Sequence, residues 1–156
     1  MFKKILIPVD GSDLALKAAA SGVNLAKELG AEIVFLHAMT PYIAPYAADV
    51  TIVDDKTQMM FEKSIVEGST DILAAAKRLA DAVGVVNQSV NAVSTRAERL
   101  METTVKEMGC DLIVLATHGR GAVGRFVMGS VTTRLLPISP VPVLVYRDAL
   151  MATETI

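Results

Sequence analysis

Along the chain, short runs of continuous apolar residues alternate with longer stretches in which apolar residues recur every three to four positions. The first pattern predicts strands buried on both faces, the second amphipathic helices. Five such runs occur. The first, Lys3 to Val9, is rich in β-branched residues and ends in a Pro-Val-Asp-Gly-Ser turn. A helix follows, with Leu14, Ala18, Leu25 and Leu29 at helical spacing and Ala15, Ala19, Gly22 and Ala26 beside them. Ser12 suits its N-cap and Gly30 its stop. Glu32 to Ala38 reads as the second buried strand.

A long connection, "MTPYIAPYAADVTIVDDK", comes next, and its two prolines argue against regular structure in the first half. Connections of this length often serve as lids or binding loops. A helix is predicted from about Gln58 to Val83, with Ile65, Ile72, Leu73, Ala76, Leu79 and Ala80 inward and Gly68 a local weak point. Val85 to Ser94 alternates weakly, and its polar content suits an edge strand. In "STRAERLMETTVKEM", Thr95 and Glu98 match a capping box, and Ala97, Leu100, Met101, Thr104, Val105 and Met108 form the core stripe. Asp111 to Ala116 is a strand, a glycine-rich loop follows, and a helix is predicted through "SVTTRLL". The last strand is Val141 to Arg147, and the tail "DALMATETI" is expected to fray.

Five buried strands alternating with helices imply an α/β fold, a parallel sheet with helices on both faces. Such sheets bind ligands beyond the carboxyl ends of their strands, where the strand order reverses. Three segments therefore carry the candidate chemistry: Pro8 to Ser12, His37 to Tyr46, and Ala116 to Ser130. The 156 residues suit one domain, read as 1–148 with a C-terminal tail over 149–156.

Composition narrows the classes of function. The net charge of −2 lacks the basic face that nucleic-acid partners require, and the absence of tryptophan argues against base-stacking platforms. No apolar run approaches the ~20 residues of a membrane span. The apolar start "MFKKILIPVDG" stops at Asp10, too soon for a signal peptide, so a cytoplasmic protein is expected. The single cysteine, Cys110, excludes an internal disulfide and reads as a small buried hydrophobe.

The stretch "THGRGAVGRFVMGS" poses the sharpest question, because Gly119, Gly121 and Gly124 have the spacing G-x-G-x-x-G of a dinucleotide fingerprint. Even the acidic residue about 20 positions on has a candidate, Asp148. Yet the motif sits in the last quarter of the chain with one strand after it, so two βαβαβ halves cannot be built. The helix would also have to run through Gly129. A second reading ends the loop at Gly129-Ser130. Ser130 then caps the next helix, whose unpaired first amides and positive dipole suit a phosphate, and Gly119 opens the loop. The bland alternative is a glycine-rich surface turn.

From "ILIPVDGS" through "LHA" and "DLIVLATHGRG" to "MGSV" and "PVPVLVYR", the sequence resembles the universal stress protein family over nearly its whole length. ATP-binding members carry G-x2-G-x9-G-[ST]. Here Gly119, nine intervening residues, Gly129 and Ser130 keep that spacing, while Ala116 stands where the first glycine is expected. Alanine keeps the amide and adds a methyl, so the resemblance implies adjusted rather than lost binding.

The resemblance implies an adenine-nucleotide alpha-hydrolase-like, Rossmann-like fold that binds ATP with Mg²⁺. Pro8, Val9 and Asp10 would meet the nucleoside: Val9 with backbone groups toward adenine, Asp10 with its carboxylate toward the ribose hydroxyls or a metal-bound water. Ala38 would contact adenine. Ala116 and Gly119 would line the ribose and phosphate path, and Arg120, Gly129, Ser130, Val131 and Thr132 would meet the phosphates. The Mg²⁺ would be held by phosphates and waters rather than directly by the protein. Asp10 has a plainer reading as a turn-former before Gly11. His118 reads as a loop-ordering residue, His37 as packed, and Arg125 and Arg134 as solvated helix positions. Tyr42 and Tyr46 fit either a lid over adenine or packing of the long connection.

The apolar last strand, at a chain end, must be covered or paired if it is a sheet edge. The resemblance implies a symmetric homodimer, strand against strand, through Val141 to Arg147. The function expected is an adenine-nucleotide-binding regulatory or stress-response switch acting on an unidentified protein partner. Two alternatives stand beside it: a ligand-free dimeric adaptor with a vestigial loop, and a weak ATPase or autokinase. "VDGSD" is similar to part of the ATP-pyrophosphatase loop, but the full S-G-G-x-D-S, a Walker lysine and H-x-G-H are all missing. No catalytic residue is therefore assigned.

Overall fold

The computed structural model describes residues 1–41, 55–118 and 128–148. Its elements run β1 (Lys4–Pro8), α1 (Asp13–Leu29), β2 (Glu32–Met39), α2 (Asp55–Asp81), β3 (Asn87–Val93), α3 (Ala97–Met108), β4 (Leu112–Ala116), α4 (Ser130–Leu135) and β5 (Val143–Tyr146). The five strands form one all-parallel sheet in the order β3-β2-β1-β4-β5. Chain order reverses between β1 and β4, which makes their carboxyl ends the switch point of the sheet.

Alternation along the strands explains the two cores. Ile5, Ile7, Ile33, Phe35, Leu112 and Val114 pack beneath α1 and α2. Their neighbours Leu6, Val34, Leu36, Ile113 and Leu115 pack on the opposite face beneath α3 and α4, against Met101, Val105 and Leu135. A strand buried on both sides cannot show an apolar–polar alternation, which is why these segments read as unbroken apolar runs. Cys110 lies in the second core, and burial pushes its thiol up to about 11.

The predicted caps of α1 hold. The Ser12 hydroxyl accepts the Ala15 amide at 3.2 Å, and Gly30 ends the helix in the left-handed region at φ 64°. The boundaries of α2 shift by three residues at its start and two at its end, and its half nearest the sheet buries Leu73, Ala76 and Ala80. The capping box predicted for α3 does not form. Its N-cap is Arg96, without a side-chain capping bond, and the Arg96 amide donates to Ser94 Oγ at 3.0 Å. The Glu98 carboxylate is instead buried between two guanidinium groups, with Arg96 Nε at 3.3 Å and Arg134 Nε at 3.4 Å. A bond from its own amide and the two cations together hold the carboxylate there, so it does not reach back to the Thr95 amide.

Candidate functional site

At the end of β1 the Val9 amide donates to the Leu36 carbonyl at 2.8 Å, the last backbone bond between β1 and β2. The chain then turns sharply. Asp10 Oδ1 accepts both the Ser12 amide, at 2.9 Å, and the Ser12 hydroxyl, at 2.7 Å. Gly11 lies at φ 81°, a conformation that L side chains rarely adopt. Asp10 is thus a turn-former, and its carboxylate stands at the carboxyl end of a central strand beside the start of α1.

The end of β4 is built differently. Ala116 is buried, and the Thr117 amide continues the ladder to the Tyr146 carbonyl at 2.9 Å. After His118 the chain passes through residues 119–127, which lie outside the described residues, and returns at Met128 and Gly129. The return is pinned to the departure. The Gly129 amide donates to the Thr117 carbonyl at 2.7 Å, and the buried Thr132 hydroxyl is within reach of the Ala116 and Thr117 carbonyls at 3.2 and 3.3 Å. A Cβ on Gly129 would stand 2.9 Å from His118 Cα and 3.1 Å from the Thr117 oxygen. Gly129 is required because two backbones touch there.

This pinch changes the expected helix start. Gly129, not Ser130, is the N-cap: Thr133 N–H donates to the Gly129 carbonyl at 2.9 Å, and Ser130 is the exposed first residue of α4. The amides of Ser130, Val131 and Thr132 precede that first intrahelical bond and are the orphan donors of the helix end. The Thr132 hydroxyl points inward to β4, so of Thr132 only the amide is directed at the helix mouth.

Pro8, Val9, Asp10, Ala38, Ala116 and the first turn of α4 all belong to the carboxyl side of the sheet around the switch point. Gly119 and Arg120 lie outside the described residues, as do Gly121, Gly124, Arg125, Tyr42, Tyr46 and residues 149–156. His118 Nδ1 lies 3.1 Å from the Thr117 hydroxyl. Arg134 is exposed, as expected of a solvated helix position, and is also paired to Glu98. Asp148, the acidic residue of the dinucleotide reading, is tied to Lys17 of α1, and that hydrogen bond and charge raise the lysine above its ordinary value. One contact went unread in the sequence: His37, expected only to pack, holds the Val9 carbonyl at 2.7 Å through Nδ1. The sole signal for it is a histidine one residue before the end-of-strand Ala38, at the level where β1 ends.

Among the described residues no group of three or more His, Cys, Asp and Glu gathers to hold a metal. No described helix is long and apolar enough to cross a membrane.

Residues 1–147 match the model of the universal stress protein family. The chain is 30% identical over 147 residues to a universal stress protein of Methanocaldococcus jannaschii, covering 94% of this chain and 83% of the relative. It is 31% identical over 149 residues to one of Bacillus subtilis, covering 94% of this chain and all of the relative. Its fold is similar to that of a universal stress protein from Lactobacillus plantarum (TM-score 0.77, 23% identity, 93% of this chain and 97% of that one). Two further structures with the same fold carry a nucleotide. One is a universal stress protein of Archaeoglobus fulgidus in complex with dAMP (TM-score 0.66, 17% identity, 93% and 98% covered). The other is an Arabidopsis thaliana family protein with AMP bound (TM-score 0.67, 13% identity, 97% and 96% covered).

Proposed function

The chain belongs to the universal stress protein family, and from that premise we propose that it binds an adenine nucleotide, ATP with Mg²⁺, and acts as a cytoplasmic regulatory switch rather than as an enzyme. The observation that carries this reading is the convergence at the switch point of two different recognition surfaces. One is the nucleoside side, formed by the β1 exit and Ala38. The other is the orphan-amide mouth of α4, held against β4 by Gly129 and Thr132. The two differ in chemistry, a strand exit on one side and unpaired amides on the other, which suits a ligand with a base at one end and an anion at the other. The dAMP and AMP complexes of the two structural relatives support the same class.

On this reading Pro8, Val9 and Ala38 border the base, and Asp10 faces the ribose hydroxyls or a water on the metal. Ala116 and Gly119 line the path to the phosphates. The amides of Ser130, Val131 and Thr132, together with Arg120, receive the phosphates, each charge-assisted bond contributing about 1.5–3 kcal/mol net. The Mg²⁺ would neutralise phosphate charge and be held by the phosphates and by water. Switching requires only that nucleotide favour one conformation or partner-bound state over another.

A symmetric dimer through β5 completes the proposal. The strand lies at an edge of the described sheet, and Leu144 is 40% exposed. A second copy pairing there would satisfy the outer backbone groups and cover that side chain.

The test is to denature purified protein and identify any nucleotide released, and to titrate stripped protein with ATP. Release of an adenine nucleotide, or saturable ATP binding by the millimolar range, is expected. Protein that neither carries nor binds one at millimolar concentration belongs to the ligand-free adaptor class instead.

A further inference from the structure

Backbone groups along β2 alternate between its two neighbours. Glu32 N–H donates to Lys3, and the Leu36 carbonyl accepts from Val9, so these positions face β1. Ile33 N–H donates to Val86, and the Met39 carbonyl accepts from Ser94, so these face β3. By the same alternation the amide and carbonyl of Ala38 face the β1 side. In an unbroken parallel ladder the next rung after Val9 N–H to Leu36 would run from the Ala38 amide to the Val9 carbonyl. That rung is missing. The β1–β2 register ends at Pro8↔Leu36, and the Val9 carbonyl is occupied by the His37 ring at 2.7 Å. A carbonyl oxygen only accepts, so Nδ1 carries the hydrogen in this contact.

We propose that His37 is a positioning residue that takes the place of the missing rung. By holding the Val9 carbonyl it stops β1 and β2 from pairing one step further, and so leaves the Ala38 amide directed at the gap above the sheet. A ligand edge with a ring-nitrogen acceptor beside an amino donor can then pair with the Ala38 amide and carbonyl, in the manner of another strand. An aminopyrimidine edge has that order of groups. The proposal rests on the nucleotide-binding reading and adds to it a reason why the base is read by β2 rather than by Val9, whose amide is consumed by Leu36.

Two variants separate this role from packing. His37→Leu keeps bulk and removes the donor, whereas His37→Asn places an amide nitrogen close to where the ring Nδ1 stands. Three quantities are read on each folded, ligand-free protein: hydrogen exchange at the Ala38 amide, affinity for adenosine, and affinity for inorganic tripolyphosphate. In His37→Leu, exchange at Ala38 slows at least about tenfold as the amide closes onto Val9, and adenosine affinity falls about tenfold. Tripolyphosphate affinity is unchanged, and His37→Asn resembles the wild type in all three. Unchanged Ala38 exchange in His37→Leu overturns the proposal, and so does slowed exchange with undiminished adenosine affinity. A wild type that binds no adenosine would defeat the nucleotide reading itself, which the exchange measurement alone does not touch.

Discussion

At the end of β1 the chain turns through contacts between residues two and three positions apart: Asp10 with Ser12, and Ser12 with Ala15. At the end of β4 the corresponding turn is made by residues far apart in sequence. Gly129 returns to Thr117, Thr132 reaches back sixteen positions to Ala116, and Arg134 ties α4 to Glu98 of α3. Both exits flank the same switch point and both lead into a helix. The first is held by side chains that organise their own backbone. The second has little local cause, since α4 is only six residues long and has no side-chain cap. A helix that short is unstable alone and stands only where tertiary contacts place it. The difference predicts that the Asp10 to Ser12 turn resists perturbation while the mouth of α4 is sensitive to residues outside it.

The largest effect is expected from Gly129→Val. Its side chain would meet backbone rather than a flexible side-chain end, so α4 must move off β4. A loss of about 3 kcal/mol in urea denaturation is expected, with nucleotide affinity falling more for ATP than for adenosine. Equal losses for both ligands would show that the two exits are not independent.

Glu98→Gln comes next and probes the same exit from a distance. It removes the charge between Arg96 and Arg134, whose side chains are 64% and 54% exposed and stay hydrated. The cost is therefore about 1–2 kcal/mol, below that of a pair buried on both sides. Burial pushes the Glu98 carboxyl up, but a bond from its own amide, the Arg96 bond and the Arg134 charge outweigh it and hold it below 4.5. A depressed folded-state value stabilises the protein above the unfolded-state value, and that contribution is lost as pH falls through the folded one. Wild type should lose stability on acidification below about pH 4.5 more steeply than the glutamine variant, and the two should converge in acid. Parallel acid curves would remove Glu98 from the account of how α4 is held.

Ser12→Ala should have the smallest effect. One capping bond and the Asp10 contact are lost, and Asp10 keeps its turn with the Ser12 amide. About 1 kcal/mol of stability is expected to go, with nucleotide affinity little changed. A loss as large as that of Gly129→Val would erase the contrast between the exits.

The ease with which each part could be read follows the same division. β1, β2 and β4 show as apolar runs because both faces of each strand are buried, and α1 carries both its caps in sequence. The edge character of Val85 to Ser94 was legible from its polar content, and β3 does lie at an edge, opposite β5. Thr95 and Glu98 match a capping box by spacing, yet Glu98 faces a guanidinium brought in by α4, and spacing cannot report that. Gly129 was identified by its place in a spaced motif, but the contact that demands it is with His118 and Thr117.

Taken alone, the order of apolar and polar residues determined a parallel α/β sheet, the turn at Asp10 to Ser12 and the spacing from Gly119 to Gly129. These rest on periodicity and on contacts within a few positions, which a linear string records. Tertiary structure alone decided which residue starts α4, where the Glu98 carboxylate goes, and that His37 occupies the Val9 carbonyl. Each of those outcomes is a competition for a hydrogen-bonding group between a near partner and a distant one. The distant partner wins only where the packed sheet delivers it at hydrogen-bond distance.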